Sequence, residues 1–250
     1  MRGRGGNVSE VFVSFQGEGV HAGRRHLFVR LGGCPLRCRY CDTPESLVPT
    51  AQCRILGPDG ERRRPNPMTA AELESEVRAL VAVAPSLAAL AVTGGEPLAQ
   101  TDFVAAWLEL RSDRLPVLLE TAGILPGRLA RLLSHVAIVS LDFKCPSNTG
   151  ERARWDEHQA CLEAAVAARR DVYVKMPVDE ATASDEVERG AALVAGVDPA
   201  VPLFLTPLTA PEGTELTITP ATLERLHAVA SRRHPDVRVM PQLHKVLGIL

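Results

Sequence analysis

Cys34, Cys38 and Cys41 stand close together in RLGGCPLRCRYCDT, residues 30–43 of a 250-residue chain. Thiolates at such spacing serve metals. Structural zinc takes four protein ligands, commonly as two paired half-sites, and only one half-site is present. His21 and His26 are candidates for a fourth zinc ligand. An iron–sulfur cluster is ordinarily held by four thiolates. A cluster held by three leaves one iron open to a substrate or cofactor. Three unrelated cysteines are the bland alternative, but the flanking Gly32-Gly33 and Cys41-Asp42-Thr43 also mark a shaped loop. Cys53, Cys145 and Cys161 are isolated, and Cys161 falls in a helical pattern where core packing explains it. Six cysteines are too few for a disulfide scaffold; clustered in a reducing compartment, they point to metal or catalysis.

Other polar segments carry chemistry of their own. TGGEP (93–97) has glycines that let backbone amides approach a ligand closely. ETAG (120–123), SLDFK (140–144), KMPV (175–178) and LTPL (205–208) each sit at or near the end of an apolar run. SFQGEG (14–19) precedes the cysteines and QLHKVLGIL (242–250) ends the chain, apolar to its last residue.

The elements that must position these segments alternate in type. Strands are expected at 8–15, 25–31, 87–92, 115–120, 136–143, 171–176, 201–206 and 236–241. Helices are expected at 69–83, 102–111, 127–134, 155–169, 184–196 and 220–233. Thr69 and Glu72 have the spacing of a capping box. Residues 44–68, rich in Pro, Gly and Arg, read as an inserted long loop or short hairpin within one domain spanning 1–250. Short apolar strands alternating with amphipathic helices specify α/β architecture with a parallel sheet. This many units favours a full or partial barrel over an open doubly wound sheet, and chemistry gathers at the C-terminal edge of its strands.

Composition excludes several roles. Net charge is −2 with 46% hydrophobic residues, which gives no basis for a nucleic-acid partner. Two Trp and two Tyr rule out stacking platforms as a theme. No apolar run is long enough to cross a bilayer and no signal core opens the chain, so a cytoplasmic protein is expected.

The C-x3-C-x2-C spacing of Cys34, Cys38 and Cys41, followed by TGGEP on alternating β/α units, resembles the radical S-adenosylmethionine superfamily. That resemblance implies a [4Fe-4S] cluster whose open iron is chelated by S-adenosylmethionine, which is then cleaved to a 5′-deoxyadenosyl radical. SFQGEG, Arg30, the Cys-Asp-Thr run and the QLHKVLGIL tail together resemble the 7-carboxy-7-deazaguanine synthase family across nearly the whole chain. The resemblance implies an incomplete barrel, a homodimer, and conversion of 6-carboxy-5,6,7,8-tetrahydropterin by radical ring contraction with loss of ammonia. It also implies a Mg2+ ion, with Thr43 as ligand, and an electron donor such as flavodoxin.

Carried over by position, Tyr40, Cys41, Asp42, Gly94, Gly95, Glu96, Glu120, Ser140, Asp142, Lys144, Thr206, Pro207, Leu208 and Thr209 face the cofactor. Phe15, Gln16, Gly17, Glu18, Arg30, Thr93, His244 and Leu250 face the substrate, the last through the terminal carboxylate. Glu96 is expected to receive the cofactor's ammonium and Arg30 the pterin carboxylate. The family often has Asn where this chain has Ala122 and Gln where it has Thr206. Two other readings stand beside this one: a glycyl-radical activase of the same superfamily, and a zinc-stabilised α/β binding module without turnover.

Overall fold

The structure, a computed structural model, describes residues 5–210 and 215–249. The chain opens on two antiparallel strands, β1 (Val8–Phe15) and β2 (Arg25–Leu31). After the cysteine loop, the inserted stretch resolves into a hairpin, β3 (Gln52–Gly57) and β4 (Gly60–Pro65). Alternation then sets in: α1 (Ala70–Val83), β5 (Ala89–Gly94), α2 (Thr101–Leu110), β6 (Val117–Thr121), α3 (Pro126–Leu132) and β7 (Ile138–Asp142). It continues with the one-turn α4 (Pro146–Thr149), α5 (Trp155–Ala167), β8 (Asp171–Val178), α6 (Ser184–Val197), β9 (Leu203–Pro207), α7 (Pro220–Ser231), β10 (Val237–Val239) and α8 (Leu243–Leu247).

These strands form one sheet in the order β10-β9-β8-β7-β6-β5-β2-β1-β3-β4. β2 and β5 to β10 run parallel, as expected. The N-terminal edge departs from that expectation: β1 is antiparallel to β2, and β4 to β3. The connections there are short, and only a long crossover returns a chain to start a parallel neighbour. β10 and β4 each have one neighbour, so the barrel stays open.

Strand alternation sorts the side chains. Val29, Leu31, Val92, Leu119, Val139, Leu141, Val174 and Leu205 point to the helix side and join the main core. Phe12, Phe28, Ala91, Leu118, Ile138, Tyr173 and Phe204 point the other way and form a separate floor inside the barrel. Phe12 and Phe28 stack with centroids 5.0 Å apart. Two residues beyond the floor come Arg30, Thr93, Glu120, Ser140, Lys175 and Thr206, and, on antiparallel β1, Glu10 two residues before Phe12. An apolar floor under a polar layer follows from period-2 patterning alone.

The helices cover the other face. α1 begins with the expected capping box: Glu72 N–H donates to Thr69 Oγ1 at 3.2 Å and Thr69 N–H donates to the Glu72 carboxylate at 2.7 Å. Leu73, Val77 and Leu80 form its buried stripe. Fully burying each such side chain stabilises the fold by roughly 1.5–3 kcal/mol.

Candidate active site

A cleft of about 420 Å³ opens on the polar layer. Phe15, Gln16, Gly17 and Glu18 reach it from the β1–β2 connection, and Arg30 from β2. Cys34, Cys38, Tyr40, Cys41, Asp42 and Thr43 come from the loop after β2. Thr93, Gly94 and Gly95 end β5, Glu120 ends β6, and Ser140, Asp142 and Lys144 end β7. Thr206 and Leu208 come from β9 and beyond, and His244 from α8. Leu250 lies outside the described residues.

The cysteine loop is clamped from two sides. Arg39 N–H donates to Thr149 O at 3.0 Å, and its guanidinium reaches the Ser147 carbonyl at 2.5 Å and the Asn148 carbonyl at 3.3 Å, all at the end of α4. Cys34 N–H donates to Leu47 O at 3.2 Å. Cys34 and Cys38 pack on Leu36, Ala122 and Ile124. Burial pushes the Cys34 thiol up to about 11 and raises Cys38 as well, so a bound metal must displace their protons. Among the described residues no group of three or more His, Cys, Asp and Glu is arranged to hold a single metal ion. His21 and His26 lie outside the cleft, beside Tyr173 and Phe28 respectively. Neither histidine joins the three cysteines in the cleft lining.

The glycine turn is built by close approach. Gly94 has φ +122, and a Cβ there would meet Leu31 N and O at 2.3 Å. A Cβ on Gly95 would meet Gly33 O at 2.4 Å and Ser46 O at 2.5 Å. Gly95 N–H donates to Leu31 O at 2.8 Å and Glu96 N–H to Gly33 O at 3.0 Å, tying TGGEP to the start of the cysteine loop.

Three of the residues expected at the cofactor do not line the cleft. Glu96 is fully buried behind the cleft wall. It accepts from Leu98 N–H at 2.9 Å, Thr121 Oγ1–H at 2.8 Å and Ala122 N–H at 2.8 Å, which engages both oxygens. It welds the glycine turn to the end of β6 instead of facing the cleft. Pro207 also points away, because it alternates with Thr206 and Leu208 along an extended segment. Thr209 does not line the cleft either; its hydroxyl donates to Gln242 Oε1 at 3.0 Å.

The polar layer is knitted across the sheet. Glu120 accepts from Thr93 Oγ1–H at 2.6 Å and from Gln16 Nε2–H at 2.8 Å. Lys175 pairs with Glu18 and lies 3.9 Å from Asp142, which pairs with Lys144 at 2.9 Å. Burial opposes the Lys175 charge, but Asp142 and Glu18 outweigh it and hold the ammonium's pKa well above its ordinary value. Burial likewise opposes ionised Asp142, and Lys144 and Lys175 outweigh it, keeping its pKa low. Lys144 Nζ sits 5.3 Å from the centre of the Tyr40 ring.

The tail docks on the same face. Leu243 N–H donates to Gly17 O at 3.0 Å. Gln242 donates to Glu18 Oε1 at 3.0 Å and to Asp42 Oδ2 at 3.1 Å, joining the tail to the β1–β2 connection and the cysteine loop. His244 packs so tightly on Gly17 that a Cβ there would lie 2.1 Å from its Nδ1.

Residues 28–182, from β2 into the segment after β8, match the family model of the radical SAM superfamily. A 7-carboxy-7-deazaguanine synthase from Geobacter sulfurreducens is 38% identical over 98% of both chains. The chain belongs to the 7-carboxy-7-deazaguanine synthase family of radical SAM proteins. Synthases of the same name from Methanothermobacter thermautotrophicus and Methanopyrus kandleri are 32% and 34% identical over 97% or more of each chain. In fold, the chain is similar to QueE from Escherichia coli, with a TM-score of 0.58 at 19% identity over 96% of this chain and 95% of that one. A radical SAM methyltransferase from Sphaerobacter thermophilus gives a TM-score of 0.62 at 17% identity, over 87% of this chain and 66% of that one. Full-length matches to synthases leave the activase reading without support.

A radical SAM synthase of this family implies a [4Fe-4S] cluster and S-adenosylmethionine. The donor set fits them. The three thiols of Cys34, Cys38 and Cys41 share one loop and line one cleft. The Tyr40 hydroxyl, in the cleft wall, is buried with no hydrogen-bond partner among the described residues. Ala122 and Thr206, where the family often has Asn and Gln, both line the cleft, and Ala122 offers no side-chain hydrogen bond there.

The lining residues that escaped the sequence reading include Glu10, Arg54, Lys175 and Gln242. KMPV lies at a strand end, and counting two residues from Tyr173 reaches Lys175. Glu10 follows by the same rule from Phe12. Nothing local marks Arg54 or Gln242.

Proposed function

We propose that the chain converts 6-carboxy-5,6,7,8-tetrahydropterin to 7-carboxy-7-deazaguanine, a precursor of deazapurines such as queuosine, by radical ring contraction with loss of ammonia. One observation supports this above the rest. The three-cysteine loop, the glycine turn, and a polar wall containing Gln16, Glu18, Arg30 and His244 share one cleft.

When bound, the cluster and S-adenosylmethionine supply a carbon radical that can abstract hydrogen from an unactivated position. The chain's own residues do the rest. Cys34, Cys38 and Cys41 would hold the cluster. Gly94 and Gly95 let the TGGEP turn pack against the backbone of Leu31, Gly33 and Ser46, which sets it beside the cysteine loop in the cleft wall. Arg30 offers its terminal nitrogens to the pterin carboxylate, since among the described residues only its Nε is engaged, by Glu10 at 3.1 Å. Gln16 and Glu18 are held by Glu120 and Lys175 and address the polar edge of the pterin. Thr43 supports the magnesium reading. Its side chain does not cap the one-turn helix that follows, which leaves the hydroxyl for a hard cation.

A homodimer and an acidic electron donor such as flavodoxin belong to the same proposal. The hairpin's arginines make a poor docking site for that donor. Arg62 and Arg64 pair with Glu76, and Arg63 with Glu61, at 2.6–3.0 Å. No described helix is long and apolar enough to cross a membrane.

The deciding experiment is anaerobic reconstitution with iron and sulfide, then reduction in the presence of S-adenosylmethionine, magnesium and the carboxytetrahydropterin. Deazaguanine product identified by mass is the expected result. Competent cofactor cleavage without that product would overturn the substrate assignment. Colourless protein holding a single zinc would overturn the reading altogether.

A further inference from the structure

Sheet register lines up four charged residues from neighbouring strands. Glu10 on β1 is opposite Arg30 on β2 and also opposite Arg54 on β3, and Arg54 is opposite Arg63 on β4. Cross-strand partners share a face. The contacts follow the register: Glu10 Oε2 accepts from Arg30 Nε at 3.1 Å, and Glu10 Oε1 from Arg54 Nη1 at 2.7 Å. Arg54 continues outward to Glu61 at 3.0 Å, and Glu61 to Arg63 at 2.8 Å. The result is an alternating row, Arg30-Glu10-Arg54-Glu61-Arg63, running from the cleft wall out along the inserted hairpin. Glu10 is buried, whereas Arg54 is 43% exposed in its side chain and lies on the rim.

The charge of that row matters to an anionic ligand. Arg30 paired with Glu10 alone is neutral, and Glu10 competes with any ligand carboxylate for the guanidinium. Arg54 saturates the second Glu10 oxygen and returns the inner triad to +1. Phe12 lies beneath Arg30, with the guanidinium carbon 5.5 Å from its ring centre. Arg30 is thus held at Nε and backed on one face by Phe12.

We propose that Arg54, carried in by the β3–β4 hairpin, is a positioning residue for carboxylate recognition: it acts through Glu10 to keep Arg30 oriented and net-positive toward the substrate's carboxylate. This rests on the substrate class proposed above and makes the hairpin part of the site. Residue types and register carry it together. A neutral residue at 54 leaves a buried Glu10 free to turn both oxygens on Arg30.

The test compares two ligands on reconstituted enzyme with S-adenosylmethionine: the carboxytetrahydropterin and the same tetrahydropterin lacking its carboxylate. Arg54→Gln is expected to weaken the carboxylated ligand about five- to tenfold and leave the carboxylate-free ligand unchanged, since only a charge–charge contribution is altered. Glu10→Gln combined with Arg54→Gln leaves Arg30 as the one charge of the triad and is expected to restore carboxylate binding to within about threefold of wild type. Arg63→Gln, at the outer end, serves as the hairpin control and should bind both ligands normally.

Equal weakening of both ligands by Arg54→Gln would reduce Arg54 to a structural role. A double variant as weak as Arg54→Gln would show that Arg54 touches the ligand directly. Either result overturns the proposal. Wild-type enzyme that cleaves S-adenosylmethionine but binds neither pterin would instead overturn the substrate reading, so the two failures are distinguishable.

Discussion

Replacing Glu96 separates two roles for the acidic residue of TGGEP. In the structure it is a buried brace, accepting from Leu98 N–H, Thr121 Oγ1–H and Ala122 N–H at 2.8–2.9 Å. Glu96→Ala leaves two backbone N–H groups behind the cleft wall without an acceptor, at about 1–3 kcal/mol each. Removing a buried carboxylate, whose pKa burial pushes up, offsets part of that cost. A net loss of about 2–4 kcal/mol follows, and at roughly 2–4 °C per kcal/mol for a chain of this size Tm should fall by about 4–16 °C. Glu96→Gln keeps one acceptor oxygen but turns an NH2 toward a backbone N–H in either orientation, so it should fall by a smaller amount. Two measurements decide: thermal unfolding of the metal-free protein under reducing conditions, and KM for S-adenosylmethionine in uncoupled cleavage by the reconstituted enzyme. A brace predicts a lower Tm and, for Glu96→Gln, a nearly unchanged KM. If Glu96→Gln left Tm untouched but raised KM about tenfold, equivalent to about 1.4 kcal/mol of cofactor binding, the carboxylate would face the cofactor's ammonium and the structural argument would fail.

Four further outcomes are expected. Gly17→Ala drives a Cβ to within 2.1 Å of His244 Nδ1; displacement of the tail should lower kcat/KM for the pterin by about tenfold at a stability cost of roughly 1–3 kcal/mol, and unchanged kinetics would detach His244 from the site. A C-terminal tag should weaken turnover sharply if the terminal carboxylate meets the substrate, and a tagged enzyme with normal KM and kcat would remove the tail from the reaction. Thr43→Ala should raise the magnesium needed for half-maximal rate by about tenfold, a loss of about 1.4 kcal/mol; an unaltered magnesium titration would exclude the hydroxyl as ligand. The fourth concerns pH. His158 Nε2 accepts from Lys144 N–H at 3.1 Å, so Nδ1 carries the proton and donates to Gly123 O at 3.2 Å. Burial holds the His158 pKa down to about 4, below its ordinary 6.5. The unfolded chain therefore binds a proton there before the folded one does. The contribution is complete above pH 6.5 and fades as pH falls toward 4, worth up to roughly 3 kcal/mol. Tm of the metal-free protein should drop across that window, less steeply in His158→Phe; identical slopes would assign the effect to other groups.

Much of the site was readable as pattern. Cys34, Cys38 and Cys41 and the TGGEP turn are contiguous, so their chemistry needs no knowledge of the fold. The polar residues at strand ends follow from period-2 alternation once the strands are placed, and the Thr69–Glu72 capping box follows from spacing across a single turn. The parallel core of the sheet was legible because each β/α unit repeats one hydrophobic pattern.

The rest depended on contacts between distant segments. Whether the carboxylate of Glu96 faces the cleft or the end of β6 is a matter of side-chain direction at a tight turn, decided by donors at Thr121 and Ala122. Gln242 reaches Glu18 and Asp42 across 224 and 200 residues, a juxtaposition that no local pattern encodes. By sequence the insertion reads only as a long loop or short hairpin; pairing β3 beside β1 brings Arg54 against Glu10 and hence to the cleft. Residue type and spacing determined which chemistry this chain carries, because metal ligands and tight turns are local. Strand order and register decided which side chains surround that chemistry, because hydrogen-bond pairing between strands is set by the packing of the whole sheet.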